Sequence, residues 1–204
     1  MCIRDSRKGT LEIGAPVKEA VLSEQLGISR APIREALQVL VQEGLITSEP
    51  QKGKHVRQMT GKEIYDSYVV AGILEGAGVA ESLPLWTEAN METFRSVVRQ
   101  MEGKISYATK LDELAEIDEL FHATLFMACD NTRLVEMART SCATISKYLY
   151  YQHWITMFTP REYADRHHAV AEAVYSRDVK HVETALRDHY KETGLRMAQF
   201  GKEA

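Results

Sequence analysis

Four side chains in the later part of this chain have the types and spacing of metal ligands. Asp118 and His122 stand four residues apart in Asp118-Glu119-Leu120-Phe121-His122, so on a helix a carboxylate and an imidazole project from one face toward a common point. His167 and His189 lie farther apart, with the polar break Ser176-Arg177-Asp178 midway between them. If the helices flanking that break fold back on each other, residues equidistant from the turn come opposite one another and the two imidazoles reach the same level. Three imidazoles and one carboxylate form a nitrogen and oxygen set suited to a divalent transition metal, with Zn, Ni, Mn, Co and Fe not distinguished by it. Four protein ligands on an octahedral ion leave two positions open, which a bidentate carboxylate could fill in place of water. A single histidine is more often a surface or hydrogen-bonded residue, and with respect to metal His55, His153, His168 and His181 are read that way.

A second constellation is cationic. Leu22 to Leu37 reads as a helix, a turn at Gly27, a cap at Ser29 and a second helix carrying Arg30 and Arg34 one turn apart. Gly27 suits a left-handed turn, Ser29 can cap the amides at the start of the second helix, and Pro32 sits in the first turn, where its missing N–H costs nothing. Ile33, Ala36, Leu37 and Leu40 recur at three- and four-residue spacing as the expected buried stripe, and the arginines fall off it. Two guanidinium forks at the start of an exposed helix match the guanine O6 and N7 acceptors of the major groove. Beyond Glu43-Gly44-Leu45, the segments Ile46 to Glu49 and His55 to Gln58 can pair around Pro50-Gln51-Lys52-Gly53-Lys54. Lys52, Gly53, Lys54 and His55 then form the tip of a basic wing placed to meet phosphates. The run from Ser29 to Leu37 resembles the SR-x-P-[IV]-RE-AL motif of GntR-type bacterial regulators, which implies a winged helix-turn-helix. Members of that family carry a helix before the segment that Lys8-Gly9-Thr10-Leu11 resembles. Met1 to Arg7 is too short and polar to supply it, and the usual Pro-Gly is replaced by Gly14-Ala15-Pro16. The reading is therefore a winged domain lacking its first helix.

These residues must be positioned by two units. Residues 1–59 form the winged DNA-binding domain and 60–204 an all-helical domain, giving a mainly α chain. Thr60-Gly61-Lys62-Glu63 reads as a capping box. Five further helices are expected near 87–107, 111–129, 131–157, 160–176 and 179–201, with Thr87, Asn131, Thr159 and Asp178 as starts and Pro160 in a first turn. No strand-like alternation follows residue 60.

The composition agrees with this division. The chain has 204 residues, 45% of them hydrophobic, enough for two modest domains. Residues 1–58 hold 9 Lys and Arg against 7 Asp and Glu, and the remainder 16 against 22, so a mildly basic head sits on an acidic body. Cys2, Cys129 and Cys142 are too scattered for a disulfide framework or a Cys-x-x-Cys site, which points to a reduced, cytoplasmic setting. Cys129, Cys142 and the methionines at helical spacing are read as core. No apolar run approaches the 18 residues of a membrane span and no signal-peptide pattern opens the chain.

Over about residues 61–200 the chain also resembles the FCD effector domain of the FadR-like branch of the same family. The resemblance rests on the Asp-x3-His at Asp118 and His122, on Phe121, on Asn131-Thr132-Arg133-Leu134 and on Leu74-Glu75. It implies His167 rather than His168 as third ligand, with Val170 three residues on, and His189 as the fourth. It also implies an effector pocket, for which Glu75, Asn131, Tyr148 and Tyr151 are candidates. Where the family often carries an arginine four residues before that glutamate, this chain has Ala71, so an effector dependent on that arginine is not expected. The leading reading is a homodimeric regulator that binds a double-stranded DNA operator and senses a small carboxylate through a bound metal. The alternatives are a metal-dependent, hydrolase-like enzyme and a metal that only stiffens the bundle. Against the enzyme, no further Glu or His has the spacing of a general base.

Overall fold

A computed structural model describes residues 12–203. The expectation of a missing first helix, together with Cys2, lies outside them. The described chain starts in the winged domain with α1 (Glu19–Leu26) and α2 (Arg30–Gln42), followed by the antiparallel strands β1 (Ile46–Glu49) and β2 (Gly53–Val56). The turn between the helices forms as its residues dictate: Gly27 takes φ 66° and its N–H returns to the Ser23 carbonyl. Ser29 holds the N-cap position with extended backbone, but its side chain makes no cap bond; the hydroxyl that secures the turn is that of Ser23, which donates to the Ile28 carbonyl at 2.6 Å. Ile33 and Leu37 are buried with Val17, Ile46 and Val56, and Leu40 packs against them. Ala36, expected in that stripe, is exposed.

The hairpin differs in register from the expectation. Ile46 pairs with Val56, Thr47 with His55, Ser48 with Lys54 and Glu49 with Gly53, so the second strand begins at Gly53 and ends before Gln58. The turn itself is Pro50-Gln51-Lys52, with Gln51 and Gly53 at positive φ. A third segment completes the sheet edge, because Val17 N–H donates to the Lys54 carbonyl and Val56 N–H to that of Ala15. Lys54 and His55 therefore stand on a strand rather than at the wing tip.

The helical domain follows as α3 (Gly61–Ser82), α4 (Glu88–Ile105), α5 (Ala115–Leu125), α6 (Thr132–Ser141), α7 (Tyr151–Trp154), α8 (Pro160–Ser176) and α9 (Val179–Ala198). Its starts are those expected. Thr60 with Glu63, Thr87 with Asn90 and Thr159 with Glu162 form reciprocal capping boxes; Asn131 accepts from Leu134 N–H and Asp178 from Lys180 and His181. Two expected helices are interrupted. The segment from 111 opens as a 3-10 turn (Leu111–Leu114) before α5, and the 131–157 segment breaks after α6 into a π-helical stretch (Thr144–Leu149) and the single turn α7. Wider turns of this kind recur at functional sites.

The main core joins α3, α4, α5, α8 and α9 around Phe94, Phe121, Val174 and Leu186, all fully enclosed. α3 and α9 pack at unusually short range. A Cβ on Gly72 would stand 2.9 Å from the Tyr190 Cβ, and one on Gly194 would stand 2.8 Å from that of Tyr68; only glycine lets the backbones approach so far. A smaller cluster of Met59, Ile64, Tyr68, Ile145, Tyr150 and Met197 closes the junction between the two parts of the chain. There the Tyr150 hydroxyl accepts from Met59 N–H at 3.0 Å, and Leu149 packs against both this cluster and the winged core.

Candidate metal centre and nucleic-acid interface

The three histidines singled out by spacing converge. One ring nitrogen each from His122 on α5, His167 on α8 and His189 on α9 lie within 4.8 Å of one another. Asp118 Oδ1, one turn before His122, stands 3.1 Å from His167 Nε2 and 4.0 Å from His122 Nε2. The fold-back at Arg177, which adopts the left-handed conformation at the end of α8, brings the two distant imidazoles level, with ring centroids 4.8 Å apart.

In two of these rings the outer nitrogen is already engaged, which orients the inner one. His122 Nδ1 donates to Glu75 Oε1 at 2.7 Å, and the Tyr190 hydroxyl donates to Glu75 Oε2 at 2.7 Å. His167 Nδ1 donates to the Tyr163 carbonyl at 2.8 Å. Second partners of this kind fix the tautomer of a metal-bound histidine and leave Nε2 for the ion. His189 carries a buried Nδ1 without a hydrogen-bond partner, an atom whose lone pair or proton costs free energy unless something binds it. The donor chemistry and this orphaned nitrogen both fit a divalent transition metal.

Electrostatics separate the three imidazoles. Burial depresses His122, but the Glu75 carboxylate, as a charge and as an acceptor, outweighs it with help from Asp118, and the pKa rises to about 9. Burial lowers His167 despite the hydrogen bond to Asp118, and burial with the nearby Arg166 charge pushes His189 well below the usual range. Burial would raise Asp118, yet its His167 hydrogen bond and the His122 charge hold it below the ordinary carboxylate value. Without an ion the cluster is thus one imidazolium, two neutral rings and a carboxylate.

The cluster forms one wall of a cavity of about 260 Å³. Glu75 and Tyr151, two of the four effector candidates, line it. Asn131 and Tyr148 do not: Asn131 caps α6 with its side chain, and Tyr148 lies in the π-helical stretch, where Ser146 and Lys147 face the cavity instead. Cys142, expected in the core, also faces the cavity. Sequence reading missed the cationic residues there. Arg139, Lys147 and Arg166 line the cavity, although Ala71 is fully enclosed and supplies no charge. Arg166 is the most deeply set of them; its Nε donates to Glu192 at 2.8 Å, its Nη2 donates to the His189 carbonyl and Thr193 Oγ1, and its guanidinium lies 4.0 Å above the Phe158 ring. Its spacing of one residue from His167 was the available signal. The remaining histidines are elsewhere, as expected: His153 stacks on Phe200 and His168 faces Glu102.

On the winged domain Arg30, Pro32 and Arg34 occupy the exposed first turns of α2. Glu19, unnoticed in the sequence, ties two of the DNA-facing candidates together. Its carboxylate takes Arg34 Nε at 3.3 Å and Lys54 Nζ at 3.1 Å, while Lys52 pairs with Glu49 at 2.8 Å. Arg34 keeps 69% of its side chain exposed, whereas Lys54 keeps 21%, so the arginine remains the freer of the two.

Residues 66–192 match the FCD domain, and residues 4–56 match the bacterial regulatory proteins of the gntR family. Among curated proteins the chain is 26% identical over 193 residues to the HTH-type transcriptional repressor RspR of Escherichia coli, covering 93% of this chain and 82% of that one. It is 28% identical over 156 residues to the Nta operon transcriptional regulator of Aminobacter aminovorans, covering 76% and 70%. The solved structure of E. coli McbR/YncC superposes with TM-score 0.71 at 20% identity, covering 97% of this chain and 93% of that one, and a putative regulator from Rhodococcus with 0.68 at 20%, covering 98% and 95%. The chain therefore belongs to the GntR family of bacterial regulators, in the branch with an FCD domain, and is a DNA-binding transcriptional regulator rather than an enzyme.

Proposed function

We propose that this regulator is a homodimer whose helical domain, from residue 60 onward, binds one divalent transition metal and a small organic acid that alters operator binding by the winged domain. The observation that carries the proposal is the convergence of Asp118, His122, His167 and His189 on the wall of one cavity. These four residues would hold the ion, which when bound supplies a Lewis-acidic site for a carboxylate. Arg139 on α6 and Lys147 on the π-helical stretch, the latter paired with Glu119 at 3.1 Å, line the same cavity and give an organic anion cationic partners there. Arg30 and Arg34 read base edges, Ser29 and Pro32 set the start of that helix, and the wing residues Lys52, Gly53, Lys54 and His55 meet the backbone. The setting is a reduced cytoplasm, where Cys129 and Cys142 stay free.

A path between cavity and DNA is supported by the π-helical stretch. Lys147 faces the cavity, while Leu149 packs on the winged core and Tyr150 bonds the Met59 backbone. An acid alters DNA affinity only by binding one placement of the heads better than another. The second reading, a metal that only stiffens the bundle, shares the ligand set. Elemental analysis with operator binding in the presence of candidate mono- and dicarboxylates separates the two. Stoichiometric metal with an acid-dependent change in operator affinity is the expected result. Stoichiometric metal without any acid response supports the structural role, and less than about a tenth of an equivalent of metal, unchanged in His122→Ala, overturns the site.

A further inference from the structure

Glu19 stands where the two DNA-facing elements of the winged domain meet, and its place follows from the backbone. Val17 N–H donates to the Lys54 carbonyl at 2.8 Å, and Pro16 bridges to His55. The segment entering α1 thus lies along β2 and delivers Glu19, the first residue of α1, beside the Lys54 side chain. From there the carboxylate spans the gap to α2. Its Oε1 accepts from Lys54 Nζ at 3.1 Å and its Oε2 from Arg34 Nε at 3.3 Å. An acidic residue in a first turn also suits the positive end of the helix dipole. A second pair on the wing, Lys52 with Glu49, is 74% and 53% exposed, and water screens it. Glu19 and Lys54 are only 23% and 21% exposed, so their contact is the better shielded. The hydrogen bond from Lys54 holds the Glu19 carboxyl below the ordinary carboxylate range, with Arg34 adding to it against the opposing effect of desolvation, and the group is an anion at neutral pH.

We propose that Glu19 sets the specificity of the DNA interface: it holds Arg34 ready for base edges and withholds the charge of Lys54 from phosphates at large. This rests on the groove and wing assignments proposed above and adds the residue that couples them. By accepting from Nε, Glu19 leaves the two terminal nitrogens of Arg34 for an acceptor pair such as guanine O6 and N7. The arginine side chain stays 69% exposed, so the anchored fork still faces outward. A side chain fixed before binding loses less rotamer freedom on reaching its partner. Around Lys54 the effect is the opposite. Arg34, Lys54 and Glu19 together carry one net positive charge rather than two, and Lys54 meets a phosphate only by giving up a carboxylate for it. Random duplex offers phosphates without the matching base, so binding to it depends wholly on the charge that Glu19 cancels. Operator binding draws in addition on the base contact that Glu19 orients.

The test compares an operator, selected from random duplexes by the wild-type full chain, with a random duplex of equal length across a range of salt concentrations. Glu19→Gln keeps the shape and an acceptor oxygen, so the domain should fold, and it removes the charge. Random-duplex affinity should rise about 5-fold per winged domain at about 0.15 M salt, with the logarithmic salt slope steeper by about 0.9, the value of one further phosphate neutralised. Operator affinity should hold level or fall as Arg34 loses its anchor, so the ratio of the two should drop at least about 5-fold. Lys54→Ala should weaken random binding more in the Glu19→Gln background than in the wild type. Glu24→Gln, the same loss of charge at an exposed position of α1, should move slope and ratio by less than about half as much, because salt screens it from the interface. Unchanged random affinity and slope in Glu19→Gln, or equal changes in Glu24→Gln, overturn this role for Glu19. Weaker binding of both duplexes with a lowered thermal midpoint makes Glu19 a structural residue only and overturns it too. If Arg34→Ala and Lys54→Ala leave operator and random binding untouched, the groove and wing assignments fail, and this role fails with them.

Discussion

Replacing Glu75 by Gln should change how many protons a metal ion displaces, because this carboxylate holds His122 in its cationic form. The interval between the ordinary histidine value of 6.5 and about 9 corresponds to roughly 3 kcal/mol in favour of the imidazolium. At pH 7.5 His122 in the metal-free protein is then protonated roughly thirty to one. His167 and His189, both lowered by burial, are neutral there. Metal uptake at pH 7.5 should therefore release about one proton, all of it from His122. In Glu75→Gln burial is no longer opposed by that charge, the ring is neutral before the ion arrives, and proton release should fall close to zero. Affinity responds in two ways. Loss of the oriented partner lowers intrinsic affinity by about 10- to 100-fold, while removal of proton competition restores roughly 30-fold at pH 7.5. The variant should thus bind nearly as well as the wild type at pH 7.5 and clearly worse at pH 9. Calorimetry in buffers of different ionisation enthalpy, with a competing chelator, measures both quantities. A wild type that releases no proton at pH 7.5, or a deficit of equal size at both pH values, would refute the electrostatic account. The metal-free fold obeys the same linkage. The raised His122 stabilises it fully below pH 6.5 and loses that contribution as pH climbs through about 9; the lowered His167 and His189 contribute above 6.5 and lose it as pH falls. Its thermal midpoint should be highest close to pH 7.

Three further outcomes follow from the geometry. Arg34→Ala should cost about 1 to 3 kcal/mol of operator binding and relax base preference at one position per half-site, whereas Lys54→Ala should weaken all sequences alike and flatten the salt dependence; discrimination between operator and random DNA unchanged by both would disprove the groove assignment. Tyr150→Phe removes the hydroxyl that bonds the Met59 backbone, and should reduce the acid-dependent change in operator affinity while metal content stays constant; an undiminished response would show that the signal travels elsewhere. Gly72→Ala drives a methyl group against Tyr190 and the α9 backbone, so it should lower stability by about 1 to 3 kcal/mol and displace Tyr190 from Glu75. Unchanged unfolding in urea would mean that α9 yields freely.

The elements that were legible in the sequence are those that local chemistry decides. Each capping residue needs only neighbours within one turn, so Thr60, Thr87, Asn131, Thr159 and Asp178 could be placed without knowledge of the fold. The convergence of the candidate set was legible for a related reason: Asp118 and His122 share a helix face, the polar break before Asp178 relates His167 to His189 by simple symmetry, and the family resemblance selected His167 over His168. What failed depended on contacts between distant segments. The helix expected over 131–157 breaks because Leu149 and Tyr150 turn toward the winged domain and Met59, a demand absent from the periodicity of the segment itself. Lys54 reads as a wing-tip cation until Glu19, 35 residues earlier, draws it against α1. Arg166 is concealed in the same way: its place next to His167 is its one sequence signal, and only the packing of α8 on α9 brings its guanidinium to the His189 carbonyl. Glu75 stands between the two cases. Its place beside Leu74 marked it for the pocket, but its effect on His122 required the fold, because the 2.7 Å hydrogen bond joins residues 47 apart in the chain. Local rules thus identified which atoms could bind a metal, and tertiary packing determined which of them carries the proton that a bound ion would have to displace.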